Sequence, residues 1–255
     1  MSTERSTHRA FDGLASGYDR HRPTYPTRII DALFEGLRPD CCVADVGCGT
    51  GISTRLVAPR AGSVVAVDPG EDMLANAARR CDGVANIRFL KAPAEATGLP
   101  DRSVDLVLAA QAFHWFDPDR ALAEFHRILR PGGRCALLWN LRVPDGGFTD
   151  DYNRIVVSAE VRIDPSVLAG RTSLALPLER SSLFRDVRTV VEPSPQSLDE
   201  EGAVGRATSA SYFPRDEPER GERLRALRAA VRAHAVDGVV TLRQEARLTM
   251  ATRDG

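Results

Sequence analysis

The chain has 255 residues, enough for one α/β domain with additions and a properly buried core. Its net charge is −1, which removes any global electrostatic pull toward nucleic acid or an anionic membrane surface. No apolar run approaches the roughly 20 residues of a membrane span, and the polar stretch Met1 to Arg9 lacks the apolar core of a signal peptide. Lys91 is the only lysine among the basic residues, and the arginines are interleaved with Asp and Glu, which reads as compositional bias rather than a binding face. The five cysteines, Cys41, Cys42, Cys48, Cys81 and Cys135, are odd in number and form no CxxC pair, so reduced thiols and a cytoplasmic location are expected.

In chain order, Phe11, Leu14 and Tyr18 have helical spacing in a polar segment that ends at Pro23. A helix is predicted after Pro26, with Ile29, Ile30, Leu33, Phe34 and Leu37 forming one apolar stripe. Strands follow at Cys42 to Val46 and Ser63 to Val67, with a helix from Ile52 to about Pro59 between them. Glu71 to Arg80 reads as helix, Ile87 to Leu90 as strand, and Val104 to Ala110 as strand. Asp117 is the expected cap of a helix that has Pro118 at its first position and turns Leu122, Phe125, Ile128 and Leu129 inward. Arg130-Pro131-Gly132-Gly133 should stop that helix ahead of a strand from Cys135 to Trp139. Short alternating units of this kind predict a doubly wound, mostly parallel α/β sheet.

Regularity falls away after Asn140. A helix over Asp150 to Val161 and an irregular stretch to Arg185 are expected. Then come a strand at Val187 to Val191, helices at Leu198 to Ala210 and Glu217 to Ala235, and a last alternating strand from Val239 to Ala251.

Chemistry concentrates first at Val43-Ala44-Asp45-Val46-Gly47-Cys48-Gly49-Thr50-Gly51. Glycines at alternate positions let the backbone lie against a ligand, and the helix that follows offers unpaired N–H groups to an anionic group. A dinucleotide loop reads Gly-x-Gly-x-x-Gly; here the third glycine comes one residue early. Asp68 stands at the end of the second strand, where a carboxylate accepts ribose hydroxyls, or else caps the next helix through Pro69-Gly70. Met73, one turn on, either covers a base or packs in the core.

The glycine run with Asp45 two positions before Gly47 resembles motif I of the class I S-adenosylmethionine (SAM)-dependent methyltransferases. Lys91-Ala92-Pro93-Ala94-Glu95, the stretch Ala110-Gln111-Ala112-Phe113-His114-Trp115-Phe116-Asp117 and the opening Phe11-Asp12-Gly13-Leu14-Ala15-Ser16-Gly17-Tyr18-Asp19-Arg20-His21-Arg22-Pro23-Thr24-Tyr25-Pro26 support it. The last two closely resemble the subgroup that includes trans-aconitate and ubiquinone/menaquinone-type methyltransferases. The resemblance covers residues 8 to 140.

It implies a seven-stranded sheet of Rossmann-like type whose antiparallel last strand lies between strands five and six. It also implies an N-terminal helical lid over residues 1–38, with the methyltransferase domain at 39–255 and a cap insertion at about 141–185. The implied cofactor is SAM, with contacts from Asp45, Gly47, Cys48, Gly49, Gly51, Asp68, Pro69, Met73, Ala94, Glu95, Gln111 and Ala112. Tyr18 and Arg22 of the lid would lie near the methionine end, where an arginine pairs a carboxylate through two parallel hydrogen bonds. Acceptor contacts are expected from Tyr25, His114, Trp115, Trp139 and Arg142. His114 is the candidate general base, or else a wall of the pocket.

The expected activity is methyl transfer to a small-molecule acceptor, including a tailoring step on a secondary metabolite, by a monomer or homodimer. Arg142, Arg154 and Arg162 would permit an acidic acceptor. A nucleic-acid substrate is disfavoured by the lack of an Asn-Pro-Pro-Tyr-type motif and of a basic stripe. No His or Cys spacing suits a metal. The alternative is a SAM-binding protein of the same fold without methyl transfer, a scaffold or cyclase.

Overall fold

The computed structural model describes residues 23–157, 176–210 and 213–254. Seven strands form one sheet: β1 (Cys42–Val46), β2 (Ser63–Asp68), β3 (Ile87–Lys91), β4 (Val104–Ala110), β5 (Leu129–Arg142), β6 (Phe184–Pro193) and β9 (Gln244–Arg253). Their order is β3-β2-β1-β4-β5-β9-β6. β3, β2, β1, β4 and β5 pair in parallel, and β9 runs antiparallel to both β5 and β6. The last strand therefore sits where the resemblance puts it.

Both faces of the sheet are covered, which is why its central strands are almost continuously apolar. Alternate residues serve opposite layers. Ala44, Val46, Val107, Ala109, Leu137 and Trp139 pack with Leu122, Phe125 and Ile128 of α4 (Pro118–Ile128). Val43, Val64, Leu106, Leu108, Ala136 and Leu138 pack with Ile29 and Leu33 of α1 (Thr27–Phe34). A third apolar cluster lies apart from the sheet. It joins Phe148, Tyr152 and Val156 of the helix Phe148–Val156 to Leu227 and Val231 of the helix Glu219–His234. Leu198 and the short strand β8 (Val240–Leu242) complete it.

Several boundaries fall as the sequence predicts, among them β1, β4 and the helix α3 (Glu71–Arg80). Asp117 caps α4 by accepting the Arg120 N–H at 3.1 Å, with Pro118 in the first turn. Four expectations are corrected. The helix after Gly51, α2, ends at Val57 and tightens into a 3-10 turn over Ala58–Arg60, where Pro59 cannot donate to a helical ladder. β5 begins at Leu129 rather than Cys135. Leu129 pairs with Val104 and Arg134 with Leu106, so residues 130–133 bulge from a strand instead of separating it from α4.

The last strand is two strands. Val240–Leu242 pairs with Gln196–Leu198 (β7) in a small separate sheet, and Gln244–Arg253 joins the main one. The Arg243 N–H is taken by Thr149 Oγ1 and its carbonyl by the Val143 N–H, so the partner changes without breaking the alternation. The helix predicted over Asp150 to Val161 spans Phe148–Val156, and its end beyond residue 157 lies outside the described residues.

Candidate cofactor and acceptor site

The parallel strands end together along one edge of the sheet, and Gly47 to Gly51, Asp68, Ala94, Glu95 and Gln111 to Trp115 lie in or beside the turns that leave it. In open α/β sheets ligands bind in the crevice outside these carboxyl ends.

At the first turn, Gly47, Gly49 and Gly51 all have positive φ, at 72°, 54° and 83°. The three do different work. A Cβ on Gly47 would lie 2.5 Å from Ala112 Cβ and 2.9 Å from the Phe116 ring, so this glycine lets the turn close on the loop after β4. A Cβ on Gly51 would press on Ala77 of α3 at 3.2 Å. A Cβ on Gly49 would meet nothing within 4 Å, so the loop presents bare backbone on an open side there.

The loop's amides are largely spent on the protein itself. Gly47 and Cys48 N–H donate to the Val67 carbonyl at 2.8 and 3.0 Å, Gly51 N–H to Cys48 at 2.9 Å, and Gly49 N–H to Asp68 Oδ2 at 2.9 Å. α2 is only six residues long. The loop's shape is thus set by the protein's own hydrogen bonds, with the Asp68 carboxylate holding its apex.

Asp68 is half-buried, and its other oxygen accepts the Gly70 N–H at 2.8 Å. One carboxylate thereby ties the first βα turn to the second. Pro69 follows it, half-buried, and Met73 is buried one turn later against Gly70. Asp45 lies beneath the loop rather than on it. It is fully buried; Oδ2 accepts hydrogen bonds from Ser53 (2.8 Å) and Thr54 (2.6 Å), while Oδ1 has no partner among the described residues. Burial raises its pKa from 3.8 to about 6, against the lowering effect of the two hydroxyls. Burial likewise raises the Cys48 thiol, so Cys48 is a packing residue with an inert sulfur.

Ala94 is buried, and Glu95 Oε1 accepts the Asp117 N–H at 2.8 Å, so that side chain braces the start of α4. At the end of β4, Gln111 takes a left-handed backbone (φ 55°), which is uncommon for a residue with a side chain. Its N–H is held by the Leu138 carbonyl at 2.8 Å and its Nε2 by the Asn140 carbonyl at 3.3 Å. This bend delivers Ala112 onto Gly47 and sends the short turn Phe113–Trp115 outward. The exposed His114 ring lies 4.7 Å from the Trp115 ring and 5.0 Å from the Trp139 ring, centroid to centroid. Trp115 is 38% exposed and Trp139 only 7%, so one indole faces outward and the other anchors the corner in the core.

Tyr25 packs in the α1 layer, and Arg142 is buried with its guanidinium 5.4 Å from the centre of the Tyr152 ring. Tyr18 and Arg22 lie outside the described residues. Two residues missed in the sequence belong to the same edge: Asn140 on β5 and Gln244 on β9, both buried. Their one signal was a polar residue interrupting an inward-facing apolar row at a strand's ligand-binding end.

Residues 44–137 match a family model described as a methyltransferase domain. Over 148 residues the chain is 43% identical to an uncharacterized methyltransferase of Mycobacterium tuberculosis, an alignment spanning 58% of each protein. It is 35% identical over 145 residues to a probable S-adenosylmethionine-dependent methyltransferase of Saccharomyces cerevisiae, over 53% of this chain and 48% of that one. A putative type II methyltransferase from Anaeromyxobacter dehalogenans superposes with a TM-score of 0.65 at 27% identity, covering 91% of this chain and 97% of that structure. The matched segment is thus a methyltransferase domain, and the glycine turn and sheet order around it are similar to those of class I SAM-dependent methyltransferases. The chain spans about half the length of the curated relatives it matches. Among the described residues no helix is long and apolar enough to cross a membrane.

Proposed function

We propose that this protein transfers the methyl group of SAM to a small-molecule acceptor. The observation that carries the reading is the juxtaposition of two features on one sheet edge. The open backbone at Gly49, braced by Asp68, lies on one side; the corner of His114, Trp115 and Trp139 lies on the other.

In this reading the half-buried Asp68 faces the ribose, Gly47, Cys48, Gly49 and Gly51 shape the floor, and Pro69 and Met73 flank the adenine. Ala94 and Glu95 line the adenine end from the loop after β3. Gln111 and Ala112 reach the methionine end, and the fully buried Asp45 supports the floor from below. Residues 1–38 form a lid that brings Tyr18 and Arg22 to the methionine end, and a cap at about 141–185 closes the acceptor side, with Tyr25 and Arg142 toward the acceptor.

When bound, SAM supplies an already activated sulfonium methyl. The chain's own task is to align the nucleophile with the S–CH3 axis and keep water out, and these two effects supply most of the rate. His114, exposed at the corner, takes the proton of a hydroxyl or amine acceptor. A carboxylate acceptor needs no base.

Titrating the purified protein with S-adenosylhomocysteine in a calorimeter, for the wild type and Asp68→Ala, tests the cofactor half of the reading. Saturable binding that weakens in the variant is expected. No binding by the wild type would overturn it.

A further inference from the structure

Side chains alternate along β5, so Asn140 and Arg142 share the face that carries Ala136 and Leu138, while Trp139 and Leu141 lie on the other. Asn140 is 9% exposed. Its Nδ2 donates to the Thr24 carbonyl at 3.1 Å. That bond fixes which end of the carboxamide is oxygen, because the reversed amide would set two oxygens against each other. Oδ1 is buried and has no hydrogen-bond partner among the described residues.

Gln244 stands opposite Arg142 across the β5–β9 ladder and is therefore a diagonal neighbour of Asn140 on the same face. It is 4% exposed; its Nε2 lies 3.5 Å from Gln196 Oε1, and its own Oε1 is again buried without a partner among the described residues. Buried acceptors are nearly always paired, so two unpaired ones at the ligand-binding end of one sheet face mark a place where donors arrive from outside. Diagonal neighbours stand about 7–8 Å apart, within the span of one small molecule.

The sheet order separates this pair from the cofactor. Asp68 ends β2, and β9 lies four strands away in the order β2-β1-β4-β5-β9. At about 4.8 Å per strand, Gln244 is roughly 19 Å from the ribose side and Asn140 roughly 14 Å, beyond the His114 turn that leaves β4.

We propose that Asn140 and Gln244 recognise the acceptor. Their two carboxamide oxygens accept hydrogen bonds from it, which makes the acceptor a small polar molecule bearing hydroxyl or amino groups. The inference rests on the methyltransferase reading above.

The test is calorimetric binding to the protein saturated with S-adenosylhomocysteine. The probes are small hydroxy and amino compounds, each with its O-methylated or N,N-dimethylated counterpart. At least one parent compound is expected to bind about tenfold tighter than its masked counterpart. Asn140→Ala and Gln244→Ala should each narrow that gap, with S-adenosylhomocysteine affinity held within about twofold. If Asn140→Ala fails to fold, Gln244→Ala carries the comparison.

Parents and masked counterparts binding equally, or no probe binding at all, would overturn the inference. So would a large loss of S-adenosylhomocysteine affinity in Asn140→Ala, since the oxygen would then serve the cofactor. Failure of the methyltransferase reading is separate: it would appear as no S-adenosylhomocysteine binding by the wild type.

Discussion

Asp68, at the end of β2, accepts the backbone N–H of Gly49 at 2.9 Å, so the acid of the second βα turn holds the apex of the first. A single carboxylate thus sets the shape of the glycine loop and, in the proposed function, also meets the ribose. Asp68→Ala is expected to weaken S-adenosylhomocysteine binding by about 1.5–3 kcal/mol, or roughly 10- to 150-fold, the loss typical of one hydrogen bond to a charged group. Calorimetry reads this directly; unchanged affinity would remove Asp68 from the cofactor site.

Gly47 and Gly49 should fail in different ways when given a methyl group. Gly47→Ala forces a Cβ into Ala112 and Phe116 on a left-handed backbone, and should cost about 2–4 kcal/mol of stability from overpacking and backbone strain together. Gly49→Ala meets open space, so it carries only the backbone cost of about 1–2 kcal/mol while its methyl occupies the open side. Urea melts should therefore single out Gly47→Ala, and S-adenosylhomocysteine titrations should show Gly49→Ala losing affinity while still folded. Wild-type affinity in Gly49→Ala would mean that no ligand approaches the loop there.

Asp45 gives the fold a pH dependence of defined sign. Its pKa is 3.8 as an ordinary carboxyl and about 6 in the folded chain, because burial disfavours the charged form. Between those values the folded protein holds a proton that the unfolded chain has released. Stability from this group therefore falls as pH rises from about 4 to about 6 and is level above. Asp45→Asn keeps an oxygen for Ser53 and Thr54 but cannot titrate. From pH 4 to pH 7 the wild type should lose about 2.4 kcal/mol relative to that variant. Denaturation curves of both proteins across this range provide the check; parallel profiles would show that Asp45 stays ionised in the fold.

His114→Ala distinguishes a base from a wall. With a hydroxyl acceptor, kcat should fall about 10²-fold or more. A rise in KM with kcat intact would assign the ring to the pocket lining.

The glycine turn, β1, α3, β4 and the Asp117 cap were legible because each rests on local rules: a short apolar run, a helical stripe, a capping side chain. What the sequence hid depends on partners far along the chain. Residues 130–133 look like a helix stop, and become part of β5 only because Val104 and Leu106 offer it a bulged partner. The alternation from Val239 onward passes unbroken through Arg243, although the partner changes there from β7 to β5 and β6. Glu95 enters the sequence reading only as an implied cofactor contact, and its use by the Asp117 N–H depends on a partner 22 residues away. Asn140 was seen only as the place where regularity ends. Its role comes from sharing a sheet face with Gln244, more than a hundred positions later.

The central claim is methyl transfer itself. Incubating the protein with methyl-labelled SAM and a library of small hydroxyl- and amine-bearing acceptors, then separating products, measures it most directly. The account predicts that label appears in an acceptor with one equivalent of S-adenosylhomocysteine per methyl moved. Tight SAM binding with no label transferred to any acceptor would contradict it.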